Sequence, residues 1–109
     1  MLTLKDIELA HERIRPFIHR TPILTNSSIN ELVGANLFFK CENFQKAGSF
    51  KIRGATNTVE LLSESELKRG VATTSSGNHG AALSMAVTRR GGETRVVMPT
   101  NTPKIKVNN

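Results

Sequence analysis

Two short stretches carry the residue types that can do chemistry. The first is Lys46-Ala47-Gly48-Ser49-Phe50-Lys51. Lys46, Ala47 and Gly48 make a turn, and Ser49 is suited to cap a helix running from Phe50 to about Leu62. That places Lys51 in the first helical turn. There the positive end of the helix dipole disfavours an ammonium and so favours the neutral amine that attacks a carbonyl. From position alone, the favoured reading is that Lys51 and Arg53 are simply solvated helix residues, with the nucleophile as the alternative.

The second stretch is Ser75-Ser76-Gly77-Asn78-His79-Gly80. Its small residues let the backbone approach a ligand closely, and the amides at the start of the following helix form an anion site without a charged side chain. One leading glycine and no Gly-Lys-Ser/Thr ending separate it from both GxGxxG and the P-loop. It is not GxSxG either, which disfavours a serine-hydrolase elbow although serine and histidine are close. The alternative is a purely structural turn and N-cap.

The elements that must position these stretches follow from local pattern. Thr3 with Asp6 starts a capping-box helix in which Leu4, Ile7, Ala10, Ile14 and Phe17 recur at helical spacing until Pro16. Residues 21–24 read as extended because a residue before proline avoids the helical region. Ser28 with Glu31, and Gly34 as the stop, predict a short helix over 28–33. The apolar run 36–42 reads as a strand. Residues 64–69 read as a short helix, 70–74 as a strand, 81–90 as an alanine-rich helix ended by Gly91-Gly92, and 94–99 as a third strand. Strand and helix alternate, so the expected class is α/β, a parallel sheet with crossover helices. Both chemical stretches then fall beyond carboxyl ends of strands, where such sheets bind ligands. Thr102 and Pro103 look like the start of a further helix.

Composition narrows the function classes. The chain has 109 residues, room for one domain or part of one, and 38% hydrophobic residues. Its net charge of +6 is unevenly placed: residues 1–67 hold eight basic and eight acidic side chains, and residues 68–109 hold seven basic ones against Glu93 alone. No basic run exceeds two residues, and Trp and Tyr are absent, so a nucleic-acid partner is not expected. Cys41 is the single cysteine, and His11, His19 and His79 lack ligand spacing. No disulfide and no metal site are therefore expected. With no apolar signal core and no run long enough to span a bilayer, the expectation is a cytoplasmic protein with no membrane partner.

Taken together, residues 39–55, residues 74–80, and the opening residues 10–16 and 19–24 resemble the serine racemase and serine/threonine dehydratase family of pyridoxal-phosphate enzymes. These have the tryptophan synthase β-like fold, fold-type II. The resemblance runs in order through nearly the whole chain. It implies that Lys51 binds the cofactor aldehyde and, once released by substrate, acts as base on the α-proton. Phe50 would lie against the pyridine ring and Asn78 would hydrogen-bond the ring oxygen. Ser75, Ser76, Gly77, Asn78 and His79 would hold the carboxylate of a small amino-acid substrate, serine or threonine. Racemase-like members carry a serine where Ser76 stands, implying that it handles the proton on the face opposite Lys51. Its alternative role is carboxylate binding alone.

The resemblance further implies a homo-oligomer, with ATP and a divalent cation as ligands of the longer parent. Ser27 and Lys46 fall where nucleotide contacts are expected, whereas Asn26 and Ala47 depart from that pattern. The family builds its glycine-rich phosphate loop, the group near the pyridine nitrogen and its cation site from later residues of a longer chain. Residues 1–109 are accordingly expected to be the N-terminal, truncated portion of the catalytic domain, inactive in isolation. A second reading is a non-catalytic truncated or interaction fragment of such an enzyme.

Overall fold

The computed structural model describes residues 1–107. Thr3 caps the first helix, α1 (Leu4–Ile14), in a full capping box with Asp6, whose carboxyl is held below its ordinary range by the Thr3 hydroxyl and amide. A 3₁₀ turn follows at Arg15–Phe17, with Pro16 inside it. Strands β1 (Ile23–Leu24) and β2 (Phe39–Lys40) flank α2 (Ser27–Val33). Two 3₁₀ turns, Glu42–Phe44 and Lys46–Gly48, lead into α3 (Lys51–Glu60). The chain then runs through α4 (Glu64–Lys68), β3 (Val71–Thr74), α5 (Asn78–Arg89), β4 (Thr94–Val97) and α6 (Lys104–Val107).

The core lies between α3 and α5. Ile52, Ala55 and Val59 on α3 meet Ala82, Leu83, Ala86 and Val87 on α5, with Leu67 of α4 closing one end. Both helices place these residues at i, i+3, i+4 spacing, one stripe each. Three alanines on the facing stripes let the two axes approach closely. Arg90 ties the loop after α3 to the end of α5 by donating to the carbonyls of Val59 and Leu62.

Strands β3 and β4 pair in parallel, Val71 opposite Thr94 through Thr74 opposite Val97, with α5 as the crossover. Gly80 allows that helix to sit against the sheet, because a Cβ there would lie 3.0 Å from Val96 Cγ1. The expected α/β class with a parallel sheet is observed.

Four details differ from the sequence expectation. The run 36–42 does not join the parallel sheet; only Phe39 and Lys40 form a strand, antiparallel to Ile23 and Leu24. An apolar run specifies extended backbone but not its partner. Helix α2 is capped by Asn26, whose Oδ1 accepts from Ile29 N at 3.0 Å, rather than by Ser28. Helix α5 starts at Asn78, three residues before the expected start, so Asn78, His79 and Gly80 form its first turn. Finally, α3 starts at Lys51 and its cap position carries no side-chain hydrogen bond. The Thr102 hydroxyl donates to the Pro99 carbonyl just before α6, and Asn108 and Asn109 lie outside the described residues.

Candidate active site

Lys51 is the first residue of α3 and its side chain is exposed. It gets there by a turn with two successive left-handed residues, Ala47 (φ 59°) and Gly48 (φ 66°), after which Ser49 is fully extended. Left-handed backbone costs an L-residue about 1–2 kcal/mol, so Ala47 stores strain four residues before the lysine. The turn is held because Ala47 packs on the core and because Gln45, which is buried, fixes its start. Gln45 accepts from the amides of His19 and Lys46 and donates to the His19 carbonyl.

The Lys51 ammonium lies 5.0 Å from the centroid of the Phe50 ring, within cation–π range. Phe50, Lys51 and His79 share a groove of about 560 Å³ with Gly54, Thr73 and Leu83. This groove runs between the start of α3, strand β3 and the start of α5.

The turn after β3 is organised by Ser75. Its Oγ accepts from the amides of Gly77 (3.2 Å) and Gly80 (3.0 Å), so it works as the inner brace of the turn. Among the described residues, the amides of Ser76, Asn78 and His79 have no intrachain acceptor. They are the groups of this turn that remain for an anion, at the N-terminus of a twelve-residue helix. Gly77 and Asn78 line a second, larger groove of about 830 Å³ with Ala47, Gly48, Ser84 and Arg89. The start of α5 thus borders both grooves, His79 on the lysine side and Asn78 on the other. Ser76 is exposed and lines neither.

A group of side chains that the sequence reading missed braces the start of α3, with Arg53 lining the same groove as Lys51. Glu42 accepts from Arg53 Nε (2.8 Å), Arg53 Nη2 (2.7 Å) and the Thr21 hydroxyl (2.6 Å). Lys40 donates to the Thr21 carbonyl at 2.6 Å. The Arg53 hydrogen bonds, aided by Thr21 and by the charges of Arg53 and Lys40, hold the Glu42 carboxyl down at about 2 against partial burial, and the same pairing raises Arg53. The nearest sequence signal was the balance of acids and bases in residues 1–67, which gives no partners.

These residues suit pyridoxal phosphate in kind. A primary amine can bond its aldehyde, an aromatic ring lies beside that amine, and an amide side chain and open main-chain amides stand at the head of α5. Among the described residues there is no group of three or more His, Cys, Asp or Glu side chains placed to hold a metal ion. Nor is any helix of the structure long and apolar enough to cross a membrane.

Fold and site together define an α/β unit that presents a lysine at one helix start across a groove from the turn at another. The sequence profile of the family described as pyridoxal-phosphate dependent enzymes matches residues 14–109. The chain belongs to that family. It is 58% identical over 107 residues to serine racemase of Dictyostelium discoideum, covering 98% of this chain and 33% of that protein. It is 56% identical to β-hydroxyaspartate dehydratase of Paracoccus denitrificans, covering 95% and 33%. The solved structure of maize serine racemase superposes with a TM-score of 0.93 at 48% identity, covering 96% of this chain and 32% of that one. The chain therefore spans about a third of the length of the relatives it matches.

Proposed function

We propose that residues 1–109 are the N-terminal portion of the catalytic domain of a pyridoxal-phosphate-dependent serine racemase or serine/threonine ammonia-lyase. The observation that carries this reading is the position of Lys51, exposed at the first residue of α3, beside Phe50 and across one groove from His79 at the head of α5. When bound, the cofactor supplies an electron sink for the charge left at the substrate α-carbon.

The chain's own residues bind, orient and move protons. Lys51 Nζ removes the α-proton from one face. The Ser76 hydroxyl returns a proton to the other face, which inverts the amino acid. If the β-hydroxyl instead takes up a proton and leaves as water, the enamine that remains is hydrolysed by water to the keto acid and ammonia. The open amides of Ser76, Asn78 and His79 receive the substrate carboxylate, Ser75 and Gly77 keep that turn in shape, and Phe50 and Asn78 are the residues that would hold the cofactor, by its ring and its ring oxygen.

The same proposal includes a homo-oligomeric cytoplasmic enzyme with ATP and a divalent cation as further ligands, Ser27 and Lys46 being the nucleotide contacts. The test is α-deuterium incorporation from D₂O into L-serine and L-threonine by the natural full-length protein. Exchange with inversion supports racemisation, keto-acid release supports elimination, and no exchange with either substrate rejects the reading.

A further inference from the structure

The structure leaves one buried polar side chain next to the lysine without a partner. Ser49 is 8% exposed, and its Oγ is shielded from solvent with no hydrogen bond. Its backbone is extended (φ −162°, ψ 164°) and Phe50 is already helical (φ −61°, ψ −15°), which is the conformation of an N-cap residue. The amides of Phe50, Lys51 and Ile52 have no acceptor among the described residues. A serine in cap geometry and the donors it ordinarily satisfies are thus adjacent and unconnected. Because the hydroxyl is shut off from solvent by the chain's own atoms, an incoming ligand cannot reach it directly. The groups it can engage by rotation belong to the first turn of α3.

We propose that Ser49 is a positioning residue for Lys51, a latent cap whose hydroxyl engages a first-turn amide of α3 when the Lys51 side chain is fixed by cofactor. Rotation of the hydroxyl removes two unmet polar groups at once and locks the helix start that aims Nζ. This inference rests on the reading of Lys51 as the cofactor lysine.

The test, on the natural full-length protein, is amide hydrogen exchange at Lys51 and Ile52, with and without pyridoxal phosphate, alongside cofactor affinity by equilibrium dialysis for wild type, Ser49→Ala and Ser49→Thr. The expected result is protection of one of these amides only in loaded wild type. Ser49→Ala should leave the melting temperature of the unloaded protein unchanged or raised, weaken cofactor binding about tenfold, and be rescued by Ser49→Thr. Equal exchange in both states of wild type overturns the proposal, and this readout needs no variant to fold. An Ala variant that destabilises the unloaded protein but binds cofactor as wild type does also overturns it, since that is an ordinary cap. Wild type that retains no cofactor would instead defeat the underlying reading, and the inference with it.

Discussion

Arg53 grips Glu42 with two parallel hydrogen bonds, 2.8 and 2.7 Å, from a position two residues beyond Lys51 on α3. The pair fixes the helix that bears the lysine to the turn Glu42–Phe44, and Thr21 extends the attachment to the segment before β1. Because the fork of a guanidinium matches a carboxylate edge to edge, Arg53→Lys should not restore what Arg53→Ala loses.

The Glu42 carboxyl titrates at about 2 in the folded chain against an ordinary value of 4.5. Its contribution is thus present in full above roughly pH 5 and is lost as pH falls toward about 2. We expect Glu42→Gln to destabilise the chain by about 1–2 kcal/mol at neutral pH, discounting for partial solvent access, and to flatten the acid limb of stability. Thermal melts between pH 3 and pH 7 on both proteins check this; parallel acid limbs would show that the pair contributes nothing.

Ser75 is expected to act on the turn rather than on chemistry directly. Ser75→Ala orphans the amides of Gly77 and Gly80 and should cost about 1–2 kcal/mol. In the full-length enzyme it should raise KM for the amino acid through a loosened carboxylate site. Unchanged stability together with unchanged KM would remove the brace from the account.

Gly91 and Gly92 separate two kinds of glycine requirement. A Cβ at Gly92 would lie 2.7 Å from Leu67 Cδ1 and 2.9 Å from Val87 Cγ1, both on buried side chains. Gly92→Ala should therefore cost about 2–3 kcal/mol by overpacking. Gly91 has φ +76° and open space around it, so Gly91→Ala should cost only the left-handed strain, about 1 kcal/mol. Melting temperatures of the two variants should fall in that order, and the reverse order would contradict the packing described.

Much of the fold was legible because its signals are local. The helices expected over 28–33, 50–62 and 64–69 form within two residues of those bounds, the Thr3 and Asp6 capping box forms, and Gly34 ends α2 in the left-handed conformation. Choices between near-equivalent neighbours were not legible. Asn26 outcompetes Ser28 for one cap, and Ser49, though correctly shaped, makes no cap bond. Strand partners were also hidden, since Phe39 carries no mark of its pairing with Leu24. In the site, Lys51 and residues 75–80 stood out by type and spacing. The Glu42–Arg53 pair and the Gln45 bridge to His19 did not, because their partners lie 11 and 26 residues apart with no periodic pattern to connect them.

The central claim is that Lys51 carries the cofactor. The most direct measurement is borohydride reduction of the natural full-length protein after incubation with pyridoxal phosphate, followed by peptide mass mapping. The account predicts one reduced pyridoxyl adduct, on Lys51, and its loss in Lys51→Ala. An adduct confined to another lysine, such as Lys46 or Lys40, or no adduct at all, would contradict it.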